Sequence, residues 1–338
     1  MGPASPKKNH TSPTEVASLL FHTAEDLLGD ALIKLPSILA LKRAHPDLHL
    51  VWNAGQGSSV YANVLKPLID GVIDEVHQET GLGTRWTQTL RPFWPRHFDC
   101  IIASERRLLP TLALHRMAHQ TFIAPMGNFR LSTRRPDMDF ARLPLHRQTQ
   151  VLLEMAMETK LTPTPELPIP VAYGQLAQEL LPPGPCYVGL APGAGGKDKC
   201  WPLAHFIAVA RAQLANERVP VFFLGPAERD WLQSLQSALP QALFPESDPR
   251  ADLRGPLLAI ALAARLRLGL ANDSGVGHLL AAGGKPLVAL FGRTNPTKFA
   301  PPYGERSVIR AQEFGAQGVA EIPVAHVLRV MEGILGAR

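Results

Sequence analysis

Short apolar runs alternate along the chain with stretches of helical periodicity, and this alternation occurs twice. Seven apolar runs have the length of buried strands: 17–22, 49–53, 98–103, 187–191, 219–224, 266–271 and 286–291. Apolar residues recur at helical spacing between them, over 31–44, 203–216, 227–238, 256–265, 275–283 and 324–335. Strands that alternate with helices are typical of parallel βαβ units, so the pattern predicts an α/β protein with doubly wound sheets.

Proline separates the two halves. Seven of the 25 residues from Leu161 to Pro185 are proline, against 32 of 338 in the whole chain. Because proline interrupts both helices and central strands, this stretch is predicted to be an interdomain linker. The predicted organisation is a flexible tail (1–16), a first domain (17–160), the linker (161–185), a second domain (186–320) and a C-terminal helix (321–338), with packing back on the first domain as one option.

The composition is that of a globular protein. Hydrophobic residues make up 46% and charged residues 19%, which excludes a disordered or fibrous chain. The cysteines Cys100, Cys186 and Cys200 are far apart, which excludes a disulfide framework or a zinc ribbon and fits a reducing cytosol. No apolar run reaches the ~18–20 residues of a membrane span, and the polar first residues do not resemble a secretory signal. We therefore expect a cytoplasmic protein.

Positive charge is concentrated in one stretch. The whole chain has a net charge of +5, yet residues 84–150 contain eleven arginines, no lysine and only four acidic residues. Arginine without lysine favours forked recognition of carboxylates or phosphates, although scattered solvated arginines would give the same count. No nucleic-acid recognition motif accompanies the charge, so nucleic acid is not an expected partner.

Open α/β sheets bind ligands beyond the carboxyl ends of their strands, so the strand-to-helix loops are the candidate sites. In the first loop, Gly29 permits a tight turn and Asp30 lies at or near the start of the next helix. Asp30 is either an N-cap or a general base that takes a proton from a hydroxyl group. Asp26 is a second acid, interpreted as solvated or orienting.

A glycine-rich loop follows the run 187–191. Gly193, Gly195 and Gly196 let backbone amides approach a phosphate, and Lys197 and Lys199 supply positive charge. The loop matches neither the P-loop pattern nor the dinucleotide-binding pattern, and a flexible glycine turn is the alternative.

A further loop opens an apolar helix. Ser274 and Gly275 would lie at the helix N-terminus, where free N–H groups and the helix dipole favour a diphosphate. Asp273 is placed to bind sugar hydroxyls, and His278 lies one turn into the helix, where a structural role is the alternative. Glu228, after the run 219–224, is placed to hold ribose hydroxyls or merely to complement a helix dipole.

Four segments in this order resemble glycosyltransferase family 9, the heptosyltransferases of lipopolysaccharide core synthesis. They are L-L-G-D-A-L-I-K-L-P (27–36), P-G-A-G-G-K-D-K-C-W-P (192–202), N-D-S-G-V-G-H-L-L-A-A (272–282) and G-K-P-L-V-A-L-F-G-R-T-N-P (284–296). The resemblance implies a GT-B architecture of two facing Rossmann-like domains. It also implies metal-independent, inverting transfer from a nucleotide-activated sugar, without a cofactor.

The resemblance also implies roles for single residues. Asp30 would deprotonate the acceptor and Lys199 would stabilise the leaving diphosphate. The expected donor is ADP-heptose and the expected acceptor an anionic lipopolysaccharide-core glycolipid, for which Arg134 and Arg135 are candidate ligands. Peripheral contact with the cytoplasmic face of the inner membrane is a further expectation. The implied donor-binding residues are Gly193, Gly195, Gly196, Glu228, Asp273, Ser274, Gly275 and His278.

Three alternatives remain open at this point. The same fold accommodates a different nucleotide sugar, and it also serves sugar-nucleotide epimerases or hydrolases that need no acceptor. A non-catalytic nucleotide-sugar binding protein would retain the donor loops and tolerate the loss of Asp30. Consumption of the donor by itself, or binding without turnover, would distinguish these alternatives from a transferase.

Overall fold

The computed structural model describes residues 16–196, 199–299 and 301–336. All but the last residue of the predicted tail (1–16) lies outside the described residues, as does Lys197 of the glycine-rich loop. None of the described helices is long and apolar enough to cross a bilayer.

The first half of the chain forms a parallel five-stranded sheet. Its strands are β1 (Ser18–Thr23), β2 (His49–Ala54), β3 (Glu75–Gln78), β4 (His97–Ala103) and β5 (Ala118–Ile123). The strand order is β3-β2-β1-β4-β5, so the direction in which strands are added reverses between β1 and β4. The central strands β1 and β4 are buried along most of their length, which favours the short apolar runs within them.

The helices of this half are α1 (Leu28–Ala44), α2 (Lys66–Ile69), α3 (Leu108–His115) and α4 (Leu145–Met157). Helix α1 is buried without interruption from Ala31 to Leu41. A helix that is buried on all sides needs no polar face, which explains its nearly continuous apolar sequence.

The second half forms another parallel five-stranded sheet, in the order β10-β9-β8-β6-β7, which reverses between β6 and β8. Its strands are β6 (Tyr187–Ala191), β7 (Val219–Phe222), β8 (Leu268–Asn272), β9 (Leu287–Phe291) and β10 (Arg306–Arg310). The remaining helices are α5 (Val171–Leu180), α6 (Leu203–Ala215), α7 (Leu232–Ala238), α8 (Pro256–Ala263), α9 (Gly275–Ala282), α10 (Pro296–Phe299) and α11 (Val324–Gly336).

All seven strands predicted from apolar runs are present, and the α/β prediction is confirmed. The three strands that the pattern missed are β3, β5 and β10. All three lie at sheet edges. An edge strand is covered less completely, so it keeps polar residues, such as the E-V-H-Q of β3, and lacks an apolar run.

The proline-rich segment contains a helix, contrary to expectation. Helix α5 occupies the interval between Pro170 and Pro182, in which there is no proline, and it packs against α8. Pro170 directly precedes the first helical residue, where a missing N–H costs nothing. Proline therefore bounds this helix and does not prevent it.

Helix α11 packs on the second sheet, which corrects the option that it returns to the first domain. Val327, Met331 and Leu335 belong to the core formed with β6, β8 and β9. Arg218, before β7, holds the same helix by two bonds to the Glu332 carboxylate, of 2.6 and 2.8 Å. The helix covers one face of its own sheet.

The two sheets meet through helices. Helix α1 packs against α9, and one hydrophobic cluster runs through both without interruption. The Tyr303 hydroxyl donates a 2.6 Å hydrogen bond to the Leu32 carbonyl oxygen within this contact. The start of α1 and the start of α9 are thereby held close together, and each follows the carboxyl end of a central strand.

Candidate functional site

Asp26 is an internal anchor of the first loop. Its carboxylate accepts hydrogen bonds from Lys34 Nζ at 2.6 Å, Trp52 Nε1 at 2.7 Å and Ser59 Oγ at 3.0 Å. The side chain is buried. The interpretation of Asp26 as a solvated acid is wrong, because the carboxylate is buried and accepts three hydrogen bonds from the protein.

Asp30 differs from Asp26 in its position, its exposure and its hydrogen bonding. It lies in the first turn of α1, while Leu27 occupies the N-cap position, so the N-cap interpretation is wrong. Its side chain is partly exposed, and no described residue forms a hydrogen bond or salt bridge with its carboxylate. A carboxylate at a helix N-terminus is stabilised by the helix dipole yet remains available to a ligand.

The glycine-rich loop is fitted around Glu228. A Cβ on Gly193 would lie 2.4 Å from Glu228 Cδ, and one on Gly225 would lie 2.5 Å from Glu228 Oε2. Gly195, in contrast, has open space around it. Burial raises the pKa of the Glu228 carboxyl, and backbone hydrogen bonds at Gly225 and Glu228 act in the opposite direction. Two of the loops thus approach closely only because glycine has no side chain.

Asn272 ties this loop to the next one, and the sequence analysis missed it. Its side chain is buried, accepts a 3.1 Å hydrogen bond from the Trp201 backbone N–H and donates one of 2.7 Å to the Pro192 carbonyl oxygen. Both ends of the glycine-rich loop are therefore hydrogen-bonded to the last residue of β8. An amide at the end of an otherwise apolar strand was the available signal.

The start of α9 has the geometry of an anion site. Ser274 is the N-cap, and its Oγ accepts a 3.1 Å hydrogen bond from the Gly277 N–H. The amides of Gly275 and Val276, which precede Gly277 in the first turn, have no intrahelical partner, as at any helix N-terminus. These free N–H groups and the positive end of the helix dipole together favour a phosphate bound at the helix start.

Charged side chains surround this helix start. Lys199 Nζ lies 4.0 Å from Asp273 Oδ2, and both residues line a cavity with Arg293, Thr294 and Gln317. Burial raises the pKa of Asp273, while a hydrogen bond from Thr294 and the charge of Lys199 oppose that shift. Arg293 is exposed and was not assigned from the sequence, although it lies in the fourth segment of the resemblance.

His278 joins the two halves. A Cβ on Gly29 would lie 2.8 Å from His278 Cδ2, so the imidazole packs directly on the loop that carries Asp30. Burial, and secondarily Arg306, lowers the pKa of His278 to about 4. Its Nδ1 is buried and finds no partner among the described residues. At neutral pH this histidine is therefore an uncharged hydrogen-bonding group and not a cation.

The two arginines predicted as acceptor ligands lie at the end of α4. Arg134 donates to the carbonyl oxygens of Met155 (2.6 Å) and Ala156 (3.1 Å) and forms an ion pair with Glu158, so it caps this helix end. Its neighbour Arg135 is exposed near the same helix end. Capping accounts for the position of Arg134 without any acceptor, and the acceptor role of both arginines stays a prediction.

A different charged network occupies the carboxyl edge of the first sheet. Buried His22 accepts a 2.9 Å hydrogen bond from Asn53 at Nδ1, which leaves Nε2 to donate to Glu105 at 2.8 Å. Glu105 also binds Arg107, and Arg107 binds Gln56. Burial acts to raise the pKa of Glu105, but the hydrogen bonds from His22 and Arg107 outweigh it and lower the pKa. This network joins the ends of β1, β2 and β4.

The fold and the site define a GT-B-type α/β protein. Two parallel sheets face each other through helices, and the start of α1, which carries Asp30, lies close to the start of α9, a candidate anion site. The family model of glycosyltransferase family 9 (heptosyltransferase) matches residues 97–321. The chain belongs to this family.

Individual relatives agree with this membership. The chain is 29% identical to lipooligosaccharide heptosyltransferase 2 of Haemophilus influenzae over 36% of its own length and 35% of that protein. It therefore spans about a third of the first curated relatives that it matches. With lipopolysaccharide heptosyltransferase 1 of Pseudomonas aeruginosa it shares 27% identity, over 85% of this chain and 82% of the other.

The fold is also that of a solved heptosyltransferase. The structure of Escherichia coli heptosyltransferase WaaC with ADP-2-deoxy-2-fluoro heptose superposes with a TM-score of 0.64 at 16% identity. The match covers 94% of this chain and 99% of that one. At this level of identity the match establishes the two-domain fold and leaves the ligand of this chain to be argued from its own residues.

Proposed function

We propose that this protein transfers heptose from ADP-heptose to an anionic lipopolysaccharide-core acceptor, with inversion and without a metal. The observation that carries the proposal is the contact between Gly29 and His278. It brings the loop of the candidate base, Asp30, against the helix whose start is the candidate diphosphate site. Membership of the heptosyltransferase family and the ADP-sugar bound by the E. coli protein support the choice of donor.

Asp30 acts as the base in this proposal. The proton of the acceptor hydroxyl moves to the Asp30 carboxylate, and the oxygen forms a new bond to the anomeric carbon. The bond between that carbon and the diphosphate oxygen breaks, and its electron pair leaves with ADP. Attack from the face opposite the leaving group inverts the configuration. The absence of any partner on Asp30 among the described residues supports this role.

The leaving diphosphate is stabilised in this proposal by positively charged and hydrogen-bonding groups that are already in place. Lys199 supplies a full positive charge, and the amides of Gly275 and Val276 supply the partial charge of the helix start. His278, uncharged at neutral pH, contributes a hydrogen bond and no net charge.

The nucleoside is assigned to the groove beside Glu228. A buried carboxylate that accepts backbone hydrogen bonds and packs between Gly193 and Gly225 is suited to bind two adjacent ribose hydroxyls. Asp273, on the other side of the diphosphate site, is left for the hydroxyls of the transferred sugar. Asn272 keeps the two donor loops in register.

Substitution of Asp30 tests the central step. In Asp30→Asn we expect kcat to fall by about 10²–10⁴-fold, since the general base is lost, while ADP still raises the melting temperature as in the wild type. Asp47→Asn, at an exposed position of the same half, is the matched control and should leave turnover unchanged. Near-normal transfer by Asp30→Asn would remove Asp30 from the role of base.

The donor and the reaction type need separate tests. Thermal stabilisation by ADP, compared with UDP, GDP and CMP at equal concentration, identifies the nucleotide.

Release of ADP from ADP-heptose without any acceptor would indicate a hydrolase or epimerase and contradict a transferase. Loss of transfer in the presence of EDTA, restored by a divalent cation, would contradict the metal-independent mechanism.

A further inference from the structure

The segment between β3 and β4 exposes large apolar side chains. Trp86 is 65% exposed and Leu90 is 58% exposed. Between Glu79 and Asp99 the segment has no acidic residue, and two of its arginines, Arg85 and Arg91, are exposed beside these apolar groups. An exposed tryptophan in a stretch without acidic residues is unusual on a protein surface and indicates an interaction site.

This exposure does not result from a loose loop. Gln88 accepts a 2.8 Å hydrogen bond from the Gly83 N–H and donates one of 2.9 Å to the Gly81 carbonyl oxygen. Gly83 has a φ of +76°, and a Cβ there would lie 2.4 Å from Pro110 Cγ in α3. The turn is thus fixed on α3, with Leu82 buried beneath it, and Trp86 lies exposed on a well-anchored backbone.

The same surface continues onto α3. The turn at 86–89 packs against α3, whose first residue, Leu108, is 57% exposed. We call this the Trp86 surface and define it by three apolar residues flanked by two arginines: Arg85, Trp86, Leu90, Arg91 and Leu108. Exposed apolar side chains on an anchored backbone, bordered by positive charge, therefore form one face of the first domain.

We propose that the Trp86 surface docks on an anionic lipid bilayer. Tryptophan is favoured at the boundary between lipid headgroups and acyl chains, because its ring is apolar and its N–H is polar. Leucines beside it enter the acyl region, and arginines bind the negatively charged headgroups. A single-stranded nucleic acid fits less well. Stacking sites use several exposed aromatic rings, and of the five residues that define the Trp86 surface one is aromatic.

The position of this surface connects it to the candidate site. Arg107 directly precedes Leu108 and contacts Gln56 after β2, so the surface borders the carboxyl edge of the first sheet. Asp30 lies at the same edge. Docking would therefore turn that edge toward the membrane, where a lipid-borne acceptor resides if the proposed function is correct. The docking proposal itself does not depend on that function.

Flotation with lipid vesicles tests the proposal on the full chain. We expect binding to vesicles of phosphatidylcholine mixed with phosphatidylglycerol, and much weaker binding to phosphatidylcholine alone. The double variant Trp86→Ser with Leu90→Ser should bind at least about tenfold more weakly, because burial of these side chains is lost. Arg85→Glu with Arg91→Glu should cause a similar loss that becomes smaller at high salt, where the wild type also weakens.

Matched variants control for nonspecific effects. Val171→Ser removes an apolar side chain that is 75% exposed on α5, and Arg211→Glu with Arg329→Glu changes two exposed arginines of the second half. Both should bind vesicles as the wild type does. Trp86→Phe should keep most of the binding but lose the blue shift of tryptophan emission that vesicles induce in the wild type.

Several results would overturn the proposal. They are equal binding to both kinds of vesicle, no binding by the wild type, or losses in the control variants as large as those in the Trp86 surface. Tighter binding to a DNA oligomer than to anionic vesicles, abolished by the same substitutions, would assign the surface to nucleic acid. Thermal stabilisation by ADP should be the same in all these variants, so a failure here is distinguishable from a failure of the proposed function.

Discussion

The carboxyl edges of the two sheets differ in whether loop backbone or buried side-chain networks shape them. At the second edge, the candidate ligand groups lie mainly in two short loops, 192–202 and 272–278, where glycines allow the backbone to approach closely. At the first edge, side chains from several strands form buried networks, such as Asp26 with Lys34 and His22 with Glu105. A backbone site depends on missing side chains, whereas a side-chain network depends on the presence of each partner, so the two edges should fail differently.

The largest effect is expected at the first edge, from Asp26→Asn. The substitution leaves the buried ammonium of Lys34 without its counter-charge, and breaking a buried ion pair in this way costs about 3–5 kcal/mol of unfolding free energy. Chemical denaturation measures the loss. Asp30→Asn is the natural comparison, because the two acids are four residues apart and Asp30, unlike Asp26, has no ion-pair partner within the described part of the chain.

If Asp26→Asn had full stability and Asp30→Asn did not, the structural and catalytic roles assigned to these two residues would have to be exchanged. A double variant, Asp26→Asn with Lys34→Met, sharpens the test. It removes both charges together and should recover part of the lost stability.

At the second edge a single methyl group should be enough to impair binding. Gly193→Ala places a Cβ 2.4 Å from Glu228 Cδ, and Gly225→Ala places one 2.5 Å from Glu228 Oε2, so either must displace the carboxylate. Overpacking of this kind costs roughly 1–3 kcal/mol, and we expect ADP to bind about tenfold more weakly or worse. Isothermal titration with ADP measures the change.

Gly174→Ala is the control for this pair, because a Cβ at that position of α5 meets no atom within 4 Å. It should leave ADP affinity unchanged. Equal affinity in Gly193→Ala and the wild type would mean that the nucleotide does not use the groove beside Glu228.

The smallest effect is expected for Arg134→Ala. The variant loses two hydrogen bonds to the end of α4 and a partly exposed ion pair with Glu158, which is worth about 1–2 kcal/mol of unfolding free energy. The KM for the acceptor should not change. Arg135→Ala, at the adjacent exposed position, should change neither the unfolding free energy nor the acceptor KM. A raised acceptor KM with normal stability in either variant would support the prediction that these arginines bind the acceptor.

The two edges were also unequally predictable. The residues of the candidate donor loops are contiguous in sequence, and each loop follows a recognisable apolar strand, so the sequence predicts Gly193, Ser274 and His278 as site residues. The network of His22 with Glu105 joins residues 83 positions apart. Nothing in the local pattern of either residue indicates its partner.

The same reasoning explains where the structure differs from the sequence pattern. A dense run of arginines gives a basic surface only where the side chains are unpaired, and Arg134 is engaged at the end of α4. Edge strands β3, β5 and β10 lack apolar runs because the sheet does not bury them fully. Helix α5 fits between prolines because proline restricts the helix interior and not its first turn.

The amino-acid sequence by itself determined the α/β architecture, the seven strands formed by apolar runs, and the loops that carry the candidate donor site. These features are encoded within segments of about ten residues, because hydrophobic periodicity and glycine spacing are local properties. Only the tertiary structure decided which acid is buried and which is available, where the arginines point, that α11 covers the second sheet, and that Gly29 lies against His278. Those outcomes depend on pairings between distant segments, and a partner far along the chain leaves no trace in the pattern around a residue.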